Sequence, residues 1–319
     1  MPLFLVFKKI IFNYLLNNIK QNIKWIKKIN YSYNEQKSLI KNVYKKFQDV
    51  YNNYEILMSN SFLDDLGGNV SIIFFLFGLI IGSFLNVCIF RIPAGESIAF
   101  PPSHCGTCKK QLKPIDLVPV FSYLFLGGKC RYCKSKISIR YPLIELLTGF
   151  LYFCVYKYYG ISFLTVKYIV LITFLIVISF IDYDTQDVYA VTTYPAVILG
   201  IIFALIEKFY FGENLLNYFM GLVISALVIF LISKLTGAMG SGDIEIHAIA
   251  GIFLGWKLAI INIFLSFIIG GIIAVLAILF KQKKKGDYIA FGPAIGISTI
   301  ILIFFGNIII PIYFGVWKI

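Results

Sequence analysis

The chain has 319 residues, of which 59% are hydrophobic and only 14% charged, with a mean hydropathy of +0.83. A water-soluble domain carries about 25% charged residues, so these numbers exclude an ordinary soluble enzyme and imply a protein that crosses the membrane many times. The net charge of +13 gathers in residues 1–50, 109–140 and 281–285, as on cytoplasmic faces beside anionic headgroups; no nucleic-acid recognition motif accompanies it, so no nucleic-acid partner is expected.

In chain order, residues 1–69 read as an N-terminal extension rich in Lys, Asn, Tyr and Ile. The apolar run Pro2 to Phe7 is far shorter than the roughly 20 residues a span needs, and Lys8 and Lys9 stop it. The basic residues follow that run and no small-residue cleavage site appears, which is unlike a signal peptide. Met58 is an alternative start, with the preceding segment dispensable. A first span, Val70 to Phe90, lies within a segment 70–92 and contains Gly82-Ser83, which permits close helix approach, and Asn86, which needs a partner inside a bundle. A hydrophilic loop follows, bounded at 93–141, and residues 142–319 read as a membrane core. Its apolar runs are Pro142 to Tyr159 (interrupted by Glu145), Ser162 to Ile181, Val188 to Leu205, Leu215 to Leu235, a short Ile244 to Leu254, Lys257 to Phe280, and Ile289 to Trp317. The expected fold is therefore all-α: a polytopic membrane helix bundle of about eight spans with one small cytoplasmic metal-binding loop.

Lysine distribution sets the orientation. With Lys281–Lys285 inside, the Arg91–Arg140 loop is also inside, and the turns near Gly160, Glu213 and Trp256, poor in basic residues, face out. The N-terminal extension conflicts with this, because a first span running inward would export ten lysines of residues 1–50; a start at Met58 removes the conflict.

Two features carry chemistry. Cys105, Cys108, Cys130 and Cys133 form two Cys-x-x-Cys pairs with a 21-residue spacer, the pattern of a closed, four-thiolate structural zinc site. Gly106 and the Gly127-Gly128 turn are expected to let the chain wrap around it. Disulfides and free thiols are the alternatives, but a reducing cytoplasm favours metal. His104 is a reserve ligand, and Cys88 and Cys154, inside spans, read as small apolar packers. The second feature is Asp243, set after the glycine-rich stretch Gly237-Ala238-Met239-Gly240-Ser241-Gly242. An ionisable group beside a span is costly and points to function, and its best partner is Asp182, at the end of another apolar run on the same face. Two such carboxylates suggest an acid–base pair that cleaves peptide bonds. Blander readings stand beside this one: Asp182 as a helix-end anchor, Asp184 as a rival acid in Tyr183-Asp184, His247 as a structural histidine on a polar face, and Glu145 as a partnered residue inside the bundle.

The ordered set of motifs resembles the type IV prepilin peptidases. Gly82-Ser83-Phe84-Leu85-Asn86-Val87 with Arg91-Ile92-Pro93 is similar to that family's opening motif, and the double Cys-x-x-Cys loop followed by Ile139-Arg140-Tyr141-Pro142 to Gly149 to its cytoplasmic loop and second span. Ile181-Asp182-Tyr183-Asp184, Gly240-Ser241-Gly242-Asp243 and Phe291-Gly292-Pro293 are similar to its two aspartate motifs and the start of its last span. The resemblance implies an enzyme of the bacterial inner membrane, its site facing the cytoplasm. Such an enzyme cuts the basic leader from prepilins or pseudopilins and methylates the new N-terminal amine with S-adenosylmethionine. It carries the catalytic role onto Asp182 and Asp243 and the metal role onto the four loop cysteines. The cofactor-binding residues remain unassigned, since no Gly-x-Gly-x-x-Gly cradle is visible.

Three positions depart from the family's pattern: Tyr189 and Ala190 stand where it has Pro-Asp, and Glu245 stands where it has lysine. They bear on rate, substrate range and methylation. Acidic Asp184, Asp187 and Glu245 are candidates for receiving a basic leader. The alternative from another class is a non-catalytic or specialised paralogue acting as a membrane assembly factor, with the zinc loop as a docking module; a transporter is a third, disfavoured because its acids would lie in mid-span rather than at one face.

Overall fold

A computed structural model describes residues 64–237, 239–280 and 289–316, and its regular structure is helical, with no strand among the described residues. The extension before residue 64, with Met58, and the basic run Lys281–Lys285 lie outside the described residues. Among the described residues nine α-helices follow one another: α1 (Asp64–Arg91), α2 (Phe121–Phe125), α3 (Arg140–Tyr159), α4 (Phe163–Thr185), α5 (Ala190–Phe211), α6 (Leu215–Thr236), α7 (Ser241–Leu254), α8 (Trp256–Leu279) and α9 (Gly292–Val316), with a 3₁₀ turn at Pro114–Leu117 before α2. Apolar runs become helices here because hydrocarbon offers the backbone no hydrogen-bond partner but itself. Polar residues set their ends. Ser162 Oγ accepts from Thr165 N at 3.3 Å to start α4, and Asn214 Oδ1 accepts from Leu216 N at 2.9 Å to start α6. Gln186 (φ 59°) and Gly237 (φ 62°) end these two helices in left-handed backbone.

Among the described residues six helices are long and apolar enough to cross a membrane: α1 from Val70, then α4, α5, α6, α8 and α9 up to Pro311. Helices occupy all eight of the runs read as spans, yet α3 and α7 do not meet that standard. α3 carries Arg140, Glu145 and Lys157, and α7 has only 14 residues. α7 is apolar for another reason: Ile246 to Leu254 are all buried, and the helix touches α4, α5, α6, α8 and α9. It is the core about which the bundle is wrapped, and its isoleucines join Leu171, Ile172, Leu175, Ile178 and Ile181 of α4 in one apolar cluster.

Small and polar residues join the helices at defined points. A Cβ on Gly82 would lie 2.7 Å from the Glu145 Cα, so α1 and α3 cross almost backbone to backbone, and Asn86 Nδ2 donates across to Tyr141 O at 3.1 Å. At the other end of α4, Lys167 Nζ lies 2.7 Å from Glu207 Oε2 of α5, both residues under 5% exposed, with the ammonium 4.4 Å from the Tyr218 ring centroid of α6. This buried ion pair ties three helices together.

Candidate active site and metal centre

Asp182 lies in the last turn of α4 and is 5% exposed. Its Oδ2 accepts from the backbone N of Gly292 at 2.6 Å, the first residue of α9. Asp243 lies in the first turn of α7, where its Oδ2 accepts from Gly240 N at 3.1 Å. Each carboxyl thus takes up a free N–H at a helix N-terminus, where the helix dipole favours negative charge. The structure packs the two helices against each other, and Gly242, beside Asp243, lies against Val188, six residues beyond Asp182. Glycine allows the close approaches this needs. A side chain at 242 would collide with Val188, the link from α4 to α5, and a Cβ at 292 would sit 2.6 Å from Asp182 Oδ2.

The neighbouring acids have other partners. Asp184, two residues beyond Asp182, forms an ion pair at 2.6 Å with Arg140 of α3, whose guanidinium also lies 5.1 Å from the Phe180 ring centroid. Glu245 Oε2 accepts from Thr193 Oγ1 of α5 at 2.6 Å. Of the three acids read as leader receptors, these two already hold side chains of the bundle, and Asp187 is exposed beside the site. Tyr189 is the N-cap of α5 and Ala190 its first residue, so two of the departures shape a helix start near Val188. The reading of His247 as a histidine on a polar face is corrected: it is fully buried on α7, between Asp243 and the apolar core. Glu145 is partnered inside the bundle by Ser83 of α1, as expected, and also by the loop: its Oε2 accepts from Val120 N at 2.7 Å. Val120 has φ 61°, a conformation a β-branched residue rarely adopts.

The four cysteines converge as well. A tetrahedral zinc with sulfurs at about 2.3 Å would hold them about 3.8 Å apart. Cys105 and Cys133 Sγ are 3.7 Å apart, and all four sulfurs lie within 4.8 Å of one another. The donor set therefore fits a metal ion. The two halves are built alike: Cys105 N donates to Lys110 O at 3.0 Å and Cys130 N to Ser135 O at 2.8 Å, with matching bridges His104–Gln111 and Lys129–Lys136. The fifth residue of each half, Lys109 (φ 55°) and Lys134 (φ 60°), is left-handed. These lysines, rather than Gly106, turn the knuckles; Gly127 and Gly128 do have positive φ, as the sequence suggested. The N–H groups of Cys108 and Thr107 draw the Cys105 thiol down to about 6, toward the thiolate a metal requires. His104 Nδ1 faces Pro102 O at 3.2 Å and is not one of the clustered donors. Asp116 joins the halves, accepting from Lys113 N at 3.2 Å and pairing with Arg131 Nε at 2.5 Å. Partial desolvation raises its pKa, but Arg131 and the Lys113 N–H outweigh this and hold it below the usual carboxylate range.

Comparison with known proteins covers both parts. Residues 76–159 match the Bacterial Peptidase A24 N-terminal domain and residues 169–275 the Type IV leader peptidase family. Among curated proteins, the chain is 38% identical over 248 residues to a prepilin leader peptidase/N-methyltransferase of Neisseria gonorrhoeae, covering 69% of this chain and 85% of that one. The protein of the same name from Bacillus subtilis (strain 168) is 32% identical over 245 residues, 76% of this chain and 96% of that one. The one from Pseudomonas aeruginosa is 31% identical over 269 residues, 75% and 91%. No solved structure matches the chain.

Proposed function

The chain belongs to the type IV leader peptidase family, and on that premise we infer that it cleaves the leader from prepilin or pseudopilin precursors and methylates the new N-terminal residue. The observation that supports the proteolytic half is the packing of α4 against α7, with Gly242 beside Asp243 lying against Val188 just past Asp182, and each carboxyl held by a backbone N–H at a helix start. Two carboxyls so placed do not both ionise cheaply, and the pair as a unit retains a proton. The ionised member takes a proton from water as it attacks the scissile carbonyl, and the protonated member donates to the carbonyl oxygen; the roles reverse as the amine leaves. The Gly292 and Gly240 N–H groups hold one oxygen of each carboxyl, which leaves the others for water and substrate.

Zinc is the metal that the four-thiolate set favours, with Cys105, Cys108, Cys130 and Cys133 as its ligands and a structural role. The resemblance implies S-adenosylmethionine as methyl donor. The described residues contain no strand, hence no strand-to-helix glycine cradle for it, and no side chain is assigned to the transfer. The location we propose is the bacterial inner membrane, with the site facing the cytoplasm. Lys109, Lys110 and Lys113 in the loop between α1 and α3 support that orientation.

The test is to incubate the full-length protein in lipid vesicles with a native prepilin and S-adenosylmethionine, then follow the substrate by mass spectrometry and the protein's metal content by elemental analysis. The expected result is a shortened, methylated substrate and zinc bound in proportion to protein. A substrate left intact would overturn the proteolytic reading; a shortened but unmethylated one would overturn the methylation.

A further inference from the structure

His247 is a fully buried histidine that the proposed chemistry does not use. Its ring touches both arms of the aspartate site. Nδ1 lies 2.9 Å from the backbone carbonyl of Asp243, one helical turn back on α7. The ring is also nearly parallel to Phe291, at 25° with centroids 6.2 Å apart, and the next residue, Gly292, supplies the N–H that holds Asp182. Behind the ring, Nε2 lies 3.1 Å from Ser266 Oγ of α8. The same helix braces Phe291 through Phe267, with ring centroids 5.3 Å apart, and through Gly270, where any Cβ would collide with the Phe291 ring.

Hydrogen-bond chemistry fixes what the ring does. A carbonyl oxygen only accepts, so Nδ1 carries a hydrogen and donates to Asp243 O. With Nδ1 carrying the ring hydrogen, Nε2 accepts, and the single Ser266 hydroxyl hydrogen is shared between Nε2 at 3.1 Å and Ile263 O at 2.7 Å, which ties the ring to α8 through the serine. An apolar residue of similar size would fill the same volume and make neither bond. A polar ring buried at this place and anchored at both nitrogens is the mark of a spacer with a fixed length and angle.

We propose that His247 is a positioning residue for leader cleavage: held by Ser266, it sets the first turn of α7 against the Phe291-Gly292 step and thereby the separation of the Asp182 and Asp243 carboxyls. This rests on the reading of those two carboxyls as the cleaving pair.

The test compares the full-length wild type with His247→Leu, His247→Asn and Ser266→Ala, reading kcat and KM for a native prepilin together with the thermal midpoint, with Asp182→Asn and Asp243→Asn run in parallel. Leucine keeps the bulk and removes both bonds, whereas asparagine keeps a donor where Nδ1 stood. Misplacement of a reacting group by about 1 Å can cost on the order of 10²-fold, so His247→Leu is expected to lower kcat by roughly 10- to 100-fold with KM within about 3-fold of wild type. His247→Asn is expected to recover kcat to within about 5-fold, and Ser266→Ala to lower it several-fold at unchanged KM. A kcat for His247→Leu within about 2-fold of wild type, or His247→Asn as slow as His247→Leu, would overturn the proposal, because the ring would then be acting as bulk alone. If His247→Leu does not accumulate, Ser266→Ala decides: an unchanged kcat sinks the proposal and a lowered one upholds it. Aspartate variants that still cleave would overturn the carboxyl-pair reading instead, whatever His247 does.

Discussion

A methyl group at position 292 would come within 2.6 Å of Asp182 Oδ2 and 3.1 Å of its Cβ and Cγ. Gly292 supplies the N–H that this carboxyl accepts, so the backbone must stay close while the side chain must be absent. Gly292→Ala is therefore expected to move the carboxyl while leaving the membrane helices intact, with initial rates of prepilin cleavage falling by about 10²-fold. An alanine variant at wild-type rate would mean that the Gly292–Asp182 contact does not set the reactive geometry. The neighbouring departure at Glu245 has a local account: its carboxylate is taken up by Thr193 Oγ1 on α5.

Among the elements, α4 bears the most. Asp182 is in its last turn, and Lys167 is 15 residues earlier in the numbering, about 22 Å along the axis at 1.5 Å per residue. The Lys167–Glu207 pair with Tyr218 thus fixes the end of α4 remote from the aspartates. Removing one partner strands the other charge in the bundle. Lys167→Met or Glu207→Leu alone should destabilise the protein by about 3–5 kcal/mol, and the double variant should recover most of that. Unfolding in detergent measures it, and single variants costing no more than about 1 kcal/mol would show that water reaches the pair. This pairing was not legible in the sequence, where Lys167 stood inside an apolar run and Glu207 forty residues on. Apolar periodicity marks which segments are helices, and the choice of partner across helices comes only from packing. The same holds for His247, whose anchor Ser266 is on another helix, and for Lys109 and Lys134, whose left-handed backbone no lysine propensity announces. By contrast, Asp182, Asp243 and the cysteine quartet stood out because their chemistry is costly or rare in a chain this apolar. The short run at Ile244 to Leu254 was ambiguous for a physical reason: about 10–14 apolar residues suit a helix buried in protein as well as a shallow membrane segment.

Over the described residues, five of the apolar helices, α4, α5, α6, α8 and α9, pack around α7, and Gly242 at its Asp243 end lies against Val188, just past the end of α4 that carries Asp182. The cysteine loop is joined to this bundle through Val120 and Glu145, and Arg140 at the start of α3 reaches Asp184 beside the site. On the proposed reading Asp182 and Asp243 do the chemistry, while the neighbouring acids Asp184 and Glu245 bind side chains of the bundle. The most direct measurement is prepilin cleavage by the full-length protein in vesicles, comparing wild type with Asp182→Asn, Asp243→Asn and Asp184→Asn at matched protein levels. The account predicts that Asp182→Asn and Asp243→Asn each lower cleavage by at least about 10³-fold, while Asp184→Asn stays within about 10-fold of wild type. Cleavage retained by either of the first two, or abolished only by Asp184→Asn, would contradict it.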